Sequence, residues 1–250
     1  MLPRFACMLA PALAAALCSS SPLAAQPLRI LPLGDSITQG GGKHDQEFSY
    51  RWPLFQLLVE EGISVEFIGS MNRGLNEGPT VWPADYRGVP FSNIHEGHYG
   101  WKTARVRDAL PGWMKTWSAP PDIALIHLGT NDQKSDNFQR DIIDAHEGII
   151  RLLREKNPRI VILVGQLFFH GGTALEFRPL VAAMAARLHT PESPVILVPH
   201  YEGFQPDPAH PQADTFDWAH PNPQGQRKMA EKWLAAMRPY LPPASPPAQP

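Results

Sequence analysis

Short apolar runs rich in Ile, Leu and Val alternate along this chain with longer segments of helical period. The runs lie at residues 28–33, 63–68, 123–128, 160–164 and 195–198. They lack the polar alternation of a half-exposed strand and read as buried parallel strands. Residues 52–61, 138–156 and 175–188 read as helices between them. In the second, Phe138, Ile142, Ile143, Ile149, Ile150, Leu152 and Leu153 lie close to a 3.6-residue repeat, and Asn157-Pro158 ends it. A last helix is expected over 223–237, with Asn222 as N-cap, Pro223 at its first position, and Met229, Trp233, Leu234 and Met237 on one face. Strands and helices in alternation predict a three-layer α/β/α sandwich around a parallel sheet. Pro32 falls inside the first run, where it removes a ladder donor, so it is expected to mark a strand end or a bulge. Residues 70–100 show no clear period and read as one long loop, functional or poorly ordered.

The ends read differently from the middle. Residues 1–25 have the form of a secretory signal: Arg4, an apolar Ala/Leu-rich stretch, then small residues ending Leu23-Ala24-Ala25 before Gln26. A secreted or periplasmic destination follows as an expectation. Cys7 and Cys18 are the two cysteines and both lie in that segment, so the mature chain would form no disulfide. Residues 242–250 are Pro-rich and read as a disordered tail, leaving one domain over 26–241. A formal net charge of −2 gives no footprint for nucleic acid, and no apolar run after the signal is long enough to span a membrane. A monomer is expected.

Ligands in open α/β sheets bind beyond the carboxyl ends of the strands. Gly34-Asp35-Ser36-Ile37-Thr38 follows the first run and Gly129-Thr130-Asn131-Asp132 the third. Asp217-Trp218-Ala219-His220-Pro221-Asn222 precedes the last helix. A Ser, an Asn and an Asp/His pair on one rim suit acyl transfer. Ser36 needs a base to become a nucleophile, His220 can be that base, and Asp217 can fix its tautomer. The Ser36 N–H, a loop glycine N–H and the Asn131 amide can serve as oxyanion donors. Asp35 and Asp132 read as acceptors that fix their loops.

These blocks resemble those of the GDSL, or SGNH, hydrolases. Gly34-Asp35-Ser36 with Ile37-Thr38 looks like the first block, Gly129-Thr130-Asn131-Asp132 the third and Asp217-x-x-His220 the last. The second-block glycine is best matched by Gly100, with Gly97 as competitor in the same loop. Within that group the chain is most similar to the family 3 carbohydrate esterases, which act as acetylxylan esterases. The stretches that carry this are residues 31–38, Ser49-Tyr50-Arg51, Phe67-Ile68-Gly69-Ser70, His95-Glu96-Gly97-His98 and His220-Pro221-Asn222. The resemblance implies a flavodoxin-like five-stranded sheet in the order 2-1-3-4-5, tolerance of Pro32, and a serine esterase without cofactor acting on an acetylated polysaccharide or other small acyl ester. Trp218 departs from the pattern, since Gly is common at that position.

Other residues admit plainer readings. Tyr99, Trp101 and Trp218 flank the proposed catalytic residues and are candidates for stacking on sugar rings, with loop packing as the alternative. Trp113 and Trp117 read as core. His95, His98 and His127 lack the spacing of a metal site, and no metal is expected. His127 reads as a hydrogen-bonded core histidine. Two rival functions remain: a lipolytic or thioester-cleaving hydrolase with the same machinery, and an inactive carbohydrate-binding protein.

Overall fold

The computed structural model describes residues 26–75 and 80–243; the expected signal and most of the Pro-rich tail lie outside them. The strands are β1 (Leu28–Gly34), β2 (Val65–Phe67), β3 (Asp85–Tyr86), β4 (Val89–Pro90), β5 (Glu96–Gly97), β6 (Ile123–His127), β7 (Val161–Gln166) and β8 (Val195–Pro199). The helices are α1 (Ser36–Gln39), α2 (Arg51–Glu60), α3 (Thr103–Trp113), α4 (Asp144–Lys156), α5 (Ala174–Leu188) and α6 (Pro223–Met237).

The main sheet is parallel in the order β2-β1-β6-β7-β8, with β5 added beside the end of β1. Without the short β3, β4 and β5, this is the expected 2-1-3-4-5. Alternate residues of each strand enter opposite layers. Ala124 and Ile126 pack with Val106 and Leu110 of α3, Ile149, Ile150 and Leu153 of α4, and Val181 and Met184 of α5. Ile123 and Leu125 pack on the other face with Leu54 and Leu58 of α2 and Met229, Trp233 and Met237 of α6. Each fully buried Leu or Ile contributes about 1.5–3 kcal/mol relative to exposure, which fixes the register of the layers.

Pro32 neither ends β1 nor makes a bulge; it pairs with Leu125 of β6 in an unbroken register. Ile30 O accepts from Ile68 N, so Pro32, two residues on, turns its nitrogen to the same side. There β2 pairs only with residues 28–30 and β5 only with 33–34. The missing donor falls in the gap between them.

The helix boundaries follow the sequence closely, and α6 begins as expected: Asn222 Oδ1 accepts from Gly225 N at 3.1 Å. The helix over 138–156 opens instead with a π-helical turn, Gln139–Ile143, before α4. No helix was expected at α3. Residues 80–100 are more structured than a plain loop, holding the β3–β4 hairpin and β5. Among the described residues no helix is long and apolar enough to cross a membrane.

Candidate active site

The carboxyl ends of β1 and β6 and the turn before α6 converge on one rim. After β1 the chain turns at once into the single helical turn α1. Asp35 caps it, with Oδ1 accepting from Ile37 N at 3.0 Å. Ser36 is thereby fixed at the first position of the turn, 5% exposed. Its Oγ lies 3.1 Å from His220 Nε2, although 184 residues separate the two in sequence.

His220 Nδ1 lies 2.9 Å from both carboxylate oxygens of Asp217. Asp217 Oδ1 also accepts from the backbone N–H of His220 at 2.9 Å and of Ala219 at 3.3 Å. Burial alone would raise the Asp217 carboxyl, but the hydrogen bonds from His220 and Ala219 outweigh it and hold it below its ordinary value. With Nδ1–H donating to this carboxylate, Nε2 is left to accept the Ser36 hydroxyl. Tyr99 stacks on the imidazole at 5.3 Å with planes 21° apart. Its own N–H donates to Gln39 Oε1 at 2.7 Å.

Asn131 sits in a 3-10 turn, Thr130–Asp132, that follows β6. Its Nδ2 donates to Trp101 O at 3.0 Å and lies 3.5 Å from Asp35 Oδ2. The two acidic neighbours fix loops, as their sequence context suggested. Asp132 Oδ2 accepts from the Thr103 N–H at 3.0 Å and hydroxyl at 2.8 Å, capping the start of α3 from outside. Full burial pushes the Asp35 carboxyl up to about 6, against the lowering effect of the Ile37 N–H.

The two candidate glycines separate clearly. The Gly97 N–H is taken by His95 Nδ1 at 3.0 Å, and a Cβ there would meet the Gln39 nitrogen at 2.5 Å. Gly97 is a packing glycine against α1. Gly100 has φ +76°, and nothing lies within 4 Å of where its Cβ would be.

The aromatic candidates divide as well. Trp101 carries the Arg105 guanidinium 3.7 Å above its ring and packs near His98 and Trp113. The guanidinium thus covers one face of a half-buried ring. Trp117 is core, as expected, and its Nε1 donates to buried Glu96 at 2.7 Å. Trp113 is half-buried and stacks on His98 at 3.8 Å. Trp218 is 58% exposed and has φ +69°. That left-handed backbone explains why glycine suits this position. Beside Asn131 and Trp218 opens a cavity of about 930 Å³.

His95, His98 and His127 do not meet as a cluster. His95 uses both ring nitrogens, accepting from Gly97 and donating to Arg73 O. His98 bonds Glu96 at 2.7 Å. His127 is buried, but the expected hydrogen bond is missing: neither ring nitrogen has a partner among the described residues. Its ring lies 5.5 Å from that of His200, on the α6 side of the sheet.

Sequence reasoning missed two residues around the site. Arg51 is fully buried and donates to the Thr38 and Gln39 carbonyls, both at 2.8 Å. His44 stacks on Phe216 at 4.4 Å and turns Nε2 toward Asp217 Oδ2 at 3.7 Å. Arg51 stands in a quoted stretch without an assigned role, whereas a lone His44 in a Gly-rich loop carries no pattern.

A buried serine, an imidazole within hydrogen-bond reach of it and a carboxylate bonded to that imidazole thus lie together at the end of a parallel α/β sheet, the arrangement of a hydrolase site. The chain belongs to the GDSL-like lipase/acylhydrolase family, whose profile matches residues 33–228. It is therefore a carboxylic ester hydrolase. It is 26% identical over 238 residues to a multidomain esterase of Ruminococcus flavefaciens, covering 87% of this chain and 29% of that relative's length. The fold is similar to that of a family 3 carbohydrate esterase from Talaromyces cellulolyticus, at TM-score 0.67 and 24% identity over 85% of this chain and 97% of that one. A family 3 carbohydrate esterase of Clostridium thermocellum has TM-score 0.65 and 21% identity over 86% and 97%.

Proposed function

We propose that this chain is a secreted or periplasmic serine esterase that removes acetyl groups from a polysaccharide, with acetylated xylan as the expected substrate. The observation that carries this reading is the continuous path from Ser36 Oγ through His220 to Asp217, with contacts of 3.1 and 2.9 Å. The carbohydrate esterases among its structural neighbours support the choice of a sugar ester, and the multidomain esterase supports an ester.

Ser36 Oγ attacks the acetyl carbonyl while His220 Nε2 takes its proton. Such general-base help is worth about 10²–10⁴ in rate. The oxyanion is held by the Ser36 N–H, the Gly100 N–H and the Asn131 Nδ2 hydrogen that is not committed to Trp101 O and has only a long 3.5 Å contact to Asp35, each worth about 3 kcal/mol. Collapse of the tetrahedral intermediate expels the sugar hydroxyl, which receives the proton from His220. Water, deprotonated by His220, then attacks acetyl-Ser36 and releases acetate. Asp217 holds the imidazole in the required tautomer throughout. These steps need no cofactor.

Initial rates on p-nitrophenyl esters of increasing acyl length test the reading, with Ser36→Ala as control. Acetate should be cleaved fastest and the variant should be inactive. Faster cleavage of long-chain esters would replace it with the lipolytic or thioester-cleaving alternative. An inactive wild type that binds acetylated glycans would leave the carbohydrate-binding protein.

A further inference from the structure

We infer that the cavity beside Asn131 is the subsite for the alcohol side of the ester, that it holds a pyranose ring, and that Trp218 is the platform for that ring. This rests on the acetyl-ester reading above and specifies which half of the substrate lies where.

Size gives the first argument. An acetyl group has a methyl and a carbonyl, whereas about 930 Å³ matches pockets that enclose a whole small molecule. A deacetylase therefore fills this space with the other half of its substrate. Position gives the second. Asn131 borders the cavity and also stands at the proposed oxyanion position. Trp218 and Ala219 border it and lie within the turn from Asp217 to His220. Ser36 and His220 do not line the cavity themselves, so a molecule in it lies beside them and meets the site through Asn131, Trp218 and Ala219.

The lining is that of a sugar site. Phe169, Phe204 and Trp218 supply apolar faces, while Gln205, Asp207 and His170 supply polar groups. A pyranose has the same division, with C–H faces and a hydroxyl rim. Asp207 Oδ1 accepts from Ala209 N at 2.9 Å, and its second oxygen has no hydrogen bond among the described residues. An acyl chain here would strip water from that carboxylate and return no hydrogen bond.

Trp218 is the sharpest sign. A large ring is more than half exposed and has no aromatic or cationic partner among the described residues. Its backbone is left-handed, at φ +69°. Glycine would remove both the strain and the exposed surface, so folding gives no reason for tryptophan at this place. Strain retained at a site wall points to binding.

The test compares kcat/KM for p-nitrophenyl acetate, p-nitrophenyl octanoate and an acetylated xylo-oligosaccharide, in wild type, Trp218→Gly and Trp218→Phe. In Trp218→Gly the oligosaccharide-to-acetate ratio should fall about tenfold, mainly through KM, because one stacking platform is lost. Trp218→Phe should recover most of it. The deacetylated oligosaccharide should inhibit wild type competitively and Trp218→Gly about tenfold more weakly. If wild type deacetylates the oligosaccharide but the ratio and the inhibition do not change, the subsite is wrong while the acetyl-ester reading stands. If wild type prefers octanoate and Trp218→Gly loses that preference, the cavity holds an acyl chain and both fail.

Discussion

Arg51 Nε donates to the Thr38 carbonyl at 2.8 Å, so a fully buried guanidinium grips the turn that presents Ser36. Its Nη2 reaches Gln39 O at 2.8 Å, its Nη1 bonds Asn93, and Trp82 lies 4.6 Å from its centre. No carboxylate pairs with it among the described residues, and burial pulls its pKa down to about 9. Arg51→Lys keeps a buried charge but loses the planar fork. It should lower stability by about 2 kcal/mol in urea unfolding and lower kcat as the turn loosens. Unchanged stability and kcat would show that the fork does not brace the turn.

Asp35 makes a pH-dependent contribution. Burial raises its carboxyl from 3.8 to about 6, so the folded state binds the extra proton between those values. The contribution is present below pH 3.8 and is lost as pH rises through 6. Asn at this position can still accept from the Ile37 N–H and carries no charge. The stability of Asp35→Asn relative to wild type should rise by about 3 kcal/mol between pH 4 and pH 8. A difference that stays flat with pH would contradict the buried charge.

The buried histidines act in the opposite sense. Burial lowers His127 to about 3 and His146 to about 4, and His95 and His200 also lie well below their ordinary value. The unfolded chain binds these protons before the folded one does. Their contribution is full above the unfolded value of about 6.5 and declines as pH falls below it, by roughly 1.4 kcal/mol per pH unit for each ring. Urea unfolding between pH 7.5 and pH 5 should show this loss. His146→Gln, with an amide N–H in place of the Nδ1 donor to Ile142 O, should reduce the slope by about one ring's share. An unchanged slope would mean that His146 titrates normally.

Asp217→Asn addresses the tautomer. An amide N–H facing His220 Nδ1 would favour the proton on Nε2, where it cannot accept from Ser36. We expect kcat to fall by about 10³ with KM little changed. A loss below tenfold would mean that Asp217 does not set the tautomer.

Much of this was legible in the chain itself. The strand runs are nearly all apolar because the sheet is covered on both faces, and the Asn222-Pro223 start of α6 is local chemistry. Helix α3 was not legible. It carries Pro111 near its end, buries only Thr103, Val106 and Leu110, and takes its N-terminal cap from distant Asp132. Strand β5 has two residues and exists only by pairing with β1. Ser36, Asn131, Asp217 and His220 could be proposed because each stands in a short block of its own. Arg51 braces two carbonyls of α1 through a tertiary contact that no spacing announces. The same holds for His127, whose apolar strand predicted burial but not the absence of a partner.

The proposed reaction turns on Ser36 as the nucleophile and His220 as its base. Its most direct test is labelling of the intact protein with a fluorophosphonate, followed by peptide mass spectrometry and by rates on p-nitrophenyl acetate. One adduct is expected, on the Ser36 peptide, with labelling strongly slowed in His220→Ala and hydrolysis lost in Ser36→Ala. An adduct on another residue, or a Ser36→Ala variant that still turns over acetate at the wild-type rate, would contradict it.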